Sequence, residues 1–151
     1  MAGFCATKPP MFSLQKLLGR NDVFFDLLEQ SANAARNSVQ ALNRVLAKPD
    51  QVPSLSEFHQ AKETDKKITE QIDEALVKTF VTQLEREDIE VLSAALYRVP
   101  KTVEKIAERF IISAPLVQKT DFSRHVALLD GATSQVVAMV KLLREIGRAH
   151  V

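Results

Sequence analysis

The stretch Lys78–Leu96, KTFVTQLEREDIEVLSAAL, joins two long segments that both repeat at helical spacing. Before and after it, side chains recur every three or four positions, the spacing that keeps them on one face of an α-helix. The recurring positions are Ile68, Ile72, Ala75 and Thr79, then Ile89, Leu92, Leu96, Val99, Val103, Ile106 and Phe110. Between them, Thr82, Glu85 and Asp88 offer oxygens and negative charge to the start of a helix. The stretch therefore predicts a helical hairpin.

Two further helices are predicted outside this hairpin. The first follows Asn21 or Asp22 and ends before Pro49, with an apolar stripe at Phe24, Leu28, Ala35, Val39, Leu42 and Leu46. The last follows Thr120 or Asp121, with a stripe at Phe122, Val126, Leu129, Val136, Val140 and Leu143. Pro115 separates it from the hairpin.

The two hairpin helices have their own predicted ends. The first runs from Leu55 to Val81, and Ser54 with Glu57 has the spacing of a capping box. The second runs from Arg86 to about Ser113, and we expect a bend at Pro100, because proline removes a backbone hydrogen bond.

These helices predict an all-α protein. Residues 21–113 form an antiparallel three-helix bundle, and residues 120–146 add a fourth helix. Residues 1–20 form a partly disordered N-terminal segment, in which Phe12, Leu14, Leu17 and Leu18 favour a short amphipathic helix that packs on the bundle rather than on a membrane.

The composition excludes several function classes. The 151 residues include 20 basic and 19 acidic side chains, so the net charge of +1 predicts no nucleic-acid partner. The single cysteine, Cys5, cannot form an internal disulfide, which favours a reducing, cytoplasmic compartment. No uncharged apolar run approaches the length of a membrane span, of about 18 residues; even Val126–Val140 is interrupted by Asp130 and Gly131. We therefore expect a soluble protein.

Asp65 is the residue whose position calls for a chemical explanation. It lies on the apolar seam between Ala61 and Ile68, where a lone carboxylate costs several kcal/mol unless it is paired, protonated or bound to a metal. No nucleophile motif, glycine-rich phosphate loop or Cys–His arrangement accompanies it, so we do not expect an enzyme.

The hairpin resembles the central hairpin of the PhoU-like proteins that accompany Pit-type phosphate transporters. The similarity lies in Lys78-Thr79-Phe80-x-Thr82 and Arg86-Glu87-Asp88-Ile89, and it extends upstream to Met11–Leu17 and Phe24–Leu28. Gln83 and Glu85 depart from the family pattern, which has proline and aspartate there. Thr82, Arg86 and Asp88 are the structural hairpin residues that the resemblance selects.

The same resemblance implies a metal site and shows that it is eroded. The family holds iron or similar ions with acidic residues at the positions of Asp65 and Glu104, but Ala61, Tyr97 and Arg98 stand where further acidic residues are expected. We therefore favour an ion pair between Asp65 and Arg98, or helix–helix hydrogen bonding, over bound metal.

The resemblance also bears on the C-terminal end. PhoU-like folds contain two three-helix bundles, so residues 120–146 correspond to the first helix of a second, truncated bundle. Residues 145–151, EIGRAHV, match one reading frame of a common sequencing adaptor, and we expect them to be a non-native tail.

Together these features predict a cytoplasmic, non-catalytic regulator or accessory protein of inorganic phosphate uptake. It would bind a Pit-type transporter, self-associate, and touch the membrane only through that partner. The alternative is a carboxylate-bridged metal-binding helical bundle that holds iron or another divalent ion. A purely structural helical adaptor is a third reading of the same periodicity.

Overall fold

A computed structural model of the chain describes residues 22–47, 54–117 and 119–149. These residues contain four α-helices and no strand: α1 (Asp22–Leu46), α2 (Ser56–Lys78), α3 (Arg86–Val117) and α4 (Ser123–Ala149). The all-α prediction is confirmed. The N-terminal segment 1–20, including the amphipathic helix predicted there, lies outside the described residues.

Consecutive helices run in opposite directions. Arg44 near the end of α1 pairs with Glu57 at the start of α2, and Arg86 at the start of α3 bonds carbonyls at the end of α2. Arg144 near the end of α4 bonds Glu29 in the first half of α1. Helix α1 contacts all three other helices, so it is the centre of the bundle.

Two apolar clusters make up the core. The larger contains residues from all four helices: Phe24, Leu27, Leu28, Ala32, Ile68, Ile72, Leu76, Ile89, Leu96, Val137 and Val140. The smaller lies toward the opposite end and contains Val39, Ala41, Leu42, Phe58, Val103 and Ala107. Because Val137 and Val140 lie in the larger cluster, α4 packs on the same core as the first three helices.

The predicted capping box of α2 was wrong. The helix begins one residue later, and Leu55 precedes it without any side-chain cap. The hydroxyl of Ser54 instead accepts a hydrogen bond from the backbone N–H of Ser56 at 3.3 Å. Glu57 is bonded to Arg44 of α1, so its carboxylate does not reach back to the cap position. Tertiary pairing has therefore replaced the local motif.

Helix α3 continues four residues farther than predicted. It passes through both prolines and ends at Val117, two residues after Pro115. Pro100 is fully buried in the core. The seam that contains Ile89, Leu96 and Val103 stays in phase across that proline.

Helix α4 begins as predicted but presents a different stripe to the core. Asp121 accepts a hydrogen bond from the N–H of Ser123 at 2.9 Å, which is the capping role that the sequence suggested. Val137 rather than Val136 is fully inside, and Leu129 is largely exposed. The sequence offers apolar residues on more than one side of α4, so the contact with α1 decides which side is buried. The assignment of residues 120–146 to a second bundle, and of 145–151 to a tail, stays a prediction.

Replacing Ile72 by alanine should lower the free energy of unfolding by about 2–5 kcal/mol, because Ile72 is completely buried in the larger cluster. Urea unfolding measures the change. The control is Val77→Ala on the same helix, whose side chain is 85% exposed and whose loss should change stability by less than about 0.5 kcal/mol. Equal effects of the two substitutions would contradict the helix register.

Candidate functional site

The hairpin between α2 and α3 is held by Arg86. Its guanidinium donates one hydrogen bond to the carbonyl of Thr79 at 2.7 Å and another to the carbonyl of Leu76. These carbonyls lie at the end of α2, where the backbone supplies few donors: the Leu76 carbonyl accepts only a long 3.4 Å hydrogen bond from the N–H of Thr79. The planar, two-pronged guanidinium thus ends α2 at Lys78, three residues earlier than predicted, and fixes where α3 starts.

Thr82 and Asp88 have different roles from each other. The hydroxyl of Thr82 donates to the carbonyl of Leu84 at 2.7 Å, so it shapes the loop rather than capping α3. Asp88 and Glu87 lie in the first turn of α3, where their negative charges interact favourably with the positive end of the helix dipole. The structure therefore brings all three predicted hairpin residues to one connection, and Arg86 makes the hydrogen bonds that join α3 to the end of α2.

An apolar surface lies beside this rigid connection. Phe80 is 98% exposed, and Val77 and Val81 next to it are also exposed. We call these three residues the hairpin patch. Phe80 contributes nothing to the core, and the loop that carries it is held in place by hydrogen bonds, so its side chain is available for contact with another molecule.

Asp65 is buried as the seam position predicted. It has no exposed surface, and neither of its carboxylate oxygens has a hydrogen-bond partner. On α2 it lies between Phe58 of the smaller cluster and Ile68 of the larger one. A charged carboxylate is costly in such a place, because it has lost water without gaining donors.

The surroundings of Asp65 favour its protonated form. Burial raises the pKa of Asp65 to about 6, and the nearby Ser31 hydroxyl of α1 offsets that rise only in part. Ser31 is itself fully buried, and its hydroxyl makes no hydrogen bond of normal geometry. Ser31 could not be identified from the sequence as a neighbour of Asp65, because a serine within an apolar stripe is not distinctive until the packing of α1 on α2 is known.

The predicted ion pair between Asp65 and Arg98 was wrong. Arg98 is exposed on α3, whereas Asp65 faces the interior. Pro100 and Leu96, two residues to either side of Arg98, take the buried positions of that turn. Since side chains two residues apart on a helix point in different directions, Arg98 is turned away from the core.

Glu104 takes part in a separate polar cluster between α2 and α3. Its carboxylate accepts from the Lys62 ammonium at 2.8 Å and lies 3.4 Å from Nδ1 of His59. Burial alone raises the pKa of Glu104, but the hydrogen bond and charge of Lys62, with a contribution from His59, hold it below its usual range. The same contact with Glu104 raises the pKa of Lys62.

The two residues proposed as metal ligands therefore have different surroundings. Glu104 is already paired with the Lys62 ammonium and lies beside His59, whereas neither carboxylate oxygen of Asp65 has a hydrogen-bond partner. Ala61 is half-buried, and Tyr97 lies under the Lys101 ammonium at 5.9 Å from its ring centre. Within residues 22–47, 54–117 and 119–149, no three His, Cys, Asp or Glu side chains lie close enough to hold an ion together.

Helix α4 is more apolar than expected from the prediction that no segment could span a membrane. The segment Ser123–Ile146 has a mean hydropathy of 1.5, and by length and composition it could cross a membrane. Asp130 and Gly131 do not lower the mean hydropathy of the segment enough to exclude a membrane-spanning helix. In the fold one side of this helix packs on α1, while most of the segment remains exposed.

Arg86→Ala should lower the free energy of unfolding by about 1–3 kcal/mol, because it removes the Arg86 donor from the Thr79 carbonyl and leaves the Leu76 carbonyl only the N–H of Thr79 at 3.4 Å. Arg86→Lys should recover only part of this loss, since an ammonium lacks the planar fork. Chemical unfolding measures both variants. The control is Arg98→Ala on the exposed face of α3, and a loss as large there would contradict the capping role.

Asp65→Asn should make stability less dependent on pH. Because the folded-state pKa is raised, the favourable contribution of a protonated Asp65 is complete below its ordinary pKa of 3.8 and is lost as pH rises through about 6. From pH 4 to pH 7 the unmodified protein should lose on the order of 2–3 kcal/mol relative to the variant. Urea unfolding across this pH range measures the difference.

Asp73→Asn is the matched control, since Asp73 lies on the same helix but is exposed. Its pH profile should follow that of the unmodified protein. Parallel profiles for all three proteins would show that the Asp65 carboxylate is paired or hydrated in solution.

Comparisons with protein-family profiles, curated proteins and solved structures found no match to this chain. The resemblance to PhoU-like proteins therefore rests on the hairpin and N-terminal motifs alone and stays a prediction. The structure supports the coarser statement that the described chain is an all-helical, four-helix protein.

Proposed function

We propose that this protein is a PhoU-like accessory protein of inorganic phosphate uptake that acts by binding a Pit-type transporter. The observation that carries the proposal is the exposed Phe80 within the motif Lys78-Thr79-Phe80-x-Thr82. The motif that supports the family resemblance also carries the most exposed large apolar side chain of the described residues. Binding to a partner accounts for the exposure of this side chain, since it does not pack in the core.

The hairpin patch has the properties of a protein contact. Burying one phenylalanine side chain against a partner is worth about 1.5–3 kcal/mol, and the neighbouring valines add apolar area. The loop is held by Arg86 and Thr82, so little conformational entropy is lost when it docks. Catalysis has no part in the proposal, because its support is a surface rather than a reactive group.

The proposed location is the cytoplasmic face of the membrane, with membrane contact only through the transporter. Self-association of the accessory protein belongs to the same proposal. The apolar segment Ser123–Ile146 offers the contrasting possibility that α4 enters the bilayer itself. Extraction of membranes with alkaline carbonate separates the two, since a peripheral protein is released and a spanning helix is retained.

Phe80→Ser should reduce capture of a co-expressed Pit-type transporter by about tenfold or more, the effect of losing one strong apolar contact. The experiment uses the full chain and a quantitative pull-down in mild detergent. Leu116→Ser is the matched control, because Leu116 is 87% exposed but lies at the far end of α3.

Retention of the transporter by the unmodified protein and by Leu116→Ser, with loss in Phe80→Ser, supports the proposal. Equal capture by all three proteins would contradict the role of the hairpin patch. Failure of the unmodified protein to retain the transporter would overturn the proposed function itself.

A further inference from the structure

A continuous apolar groove lies between α3 and α4. It encloses about 400 Å³ and is lined only by apolar side chains: Leu92, Ala95, Leu96, Val99, Val136, Met139, Val140 and Leu143. Leu96 and Val140 also belong to the larger core cluster, so the floor of the groove is continuous with the core. Its outer lining is open, with Met139 62% exposed.

The size of the groove suits a short helix. Its α3 wall runs from Leu92 to Val99 and its α4 wall from Val136 to Leu143, so each wall covers two turns, about 10 Å at 1.5 Å per residue. An amphipathic segment of two turns can place its apolar face between two such walls. No charged group in the lining would oppose that contact.

The chain itself carries a segment of this kind, close in sequence to α1. Residues 11–18, MFSLQKLL, place Met11, Leu14 and Leu18 at helical spacing on one side, with Leu17 beside them. Ser13, Gln15 and Lys16 occupy the other positions. These residues lie outside the described part of the chain.

Connectivity limits how far this segment can lie from one end of the groove. Helix α1 starts at Asp22, and Arg144, adjacent to the groove residue Leu143, bonds both Asp26 and Glu29 of α1. The first turns of α1 therefore lie at the Leu143 end of the groove. Residues 19–21 can span up to about 10 Å, enough for the chain to turn back along the groove.

We propose that residues 11–18 dock in the groove between α3 and α4 of the same molecule, with Leu14, Leu17 and Leu18 facing its walls. The covalent connection gives the segment a high local concentration at the groove, which favours it over a separate partner. The docking covers part of the apolar side of α4. It does not depend on the proposed role in phosphate uptake.

The test compares Ala95→Glu with its neighbour Ala94→Glu in the full chain. Both alanines are exposed on α3, but only Ala95 lines the groove. A charge at position 95 should displace the segment, so amide hydrogen exchange of residues 11–18 should accelerate at least several-fold, while Ala94→Glu should leave it unchanged. Leu14→Ser with Leu18→Ser should accelerate exchange of the groove walls, Leu92–Val99 and Val136–Leu143.

A synthetic peptide of residues 11–20 supplies a second measurement. It should bind the Leu14→Ser, Leu18→Ser protein, whose groove is vacated, and bind the unmodified protein at least several-fold more weakly. Equal peptide binding to both proteins, or equal exchange rates in the Ala95→Glu and Ala94→Glu variants, would overturn the proposal. A dimer that only Ala95→Glu dissociates would overturn it in favour of a second copy of the chain as the occupant.

Discussion

Burial of α1 on several sides is the constraint on which the rest of this structure depends. Its apolar and small residues, from Phe24 to Leu42, are covered by α2, α3 and α4, and it is the helix that contacts all three others. Helices of this length gain most of their stability from tertiary packing rather than from intrinsic propensity. The positions of the hairpin, of the buried carboxylate and of the open groove all follow from how the other helices cover α1.

The carboxyl groups of Glu104 and Asp65 are accommodated in this packing in different ways. Glu104 pairs with Lys62 and His59 near the surface, where partial hydration keeps the charges tolerable. Asp65 lies fully inside without a charge partner, and its raised pKa expresses the cost of ionising it there. A buried acid of this kind reduces stability at neutral pH, and along α2 it lies between Phe58 of the smaller cluster and Ile68 of the larger.

Two exposed apolar surfaces of the bundle are relevant to binding. The hairpin patch and the groove between α3 and α4 lie on different parts of the molecule, and each exposes apolar side chains that the core does not use. The patch is carried by a loop with fixed hydrogen bonds, which suits recognition of a separate partner. The groove ends beside the first turns of α1, which suits the intramolecular contact proposed above.

Much of the fold follows from periodicity alone. Three-four spacing predicted four helices, and the buried seam through Ile68, Ile72, Ile89 and Leu96 was confirmed because that spacing keeps these positions on the core-facing side of each helix. Asp65 could be identified as buried for the same reason. The hairpin could be placed because helix ends have local chemical requirements that the residues there meet.

Other features depended on contacts between distant parts of the chain. Glu57 left its local capping role because Arg44 is near it in space, and Arg86 ended α2 early by reaching back to its last carbonyls. The exposed position of Arg98 excluded its pairing with Asp65, although their spacing on neighbouring helices had allowed it. The sequence by itself thus determined the helices, their order and the burial of Asp65, because these depend on residues close along the chain. Only the tertiary structure decided the partners of each charge and the side of α4 that is buried, because those depend on which helices meet.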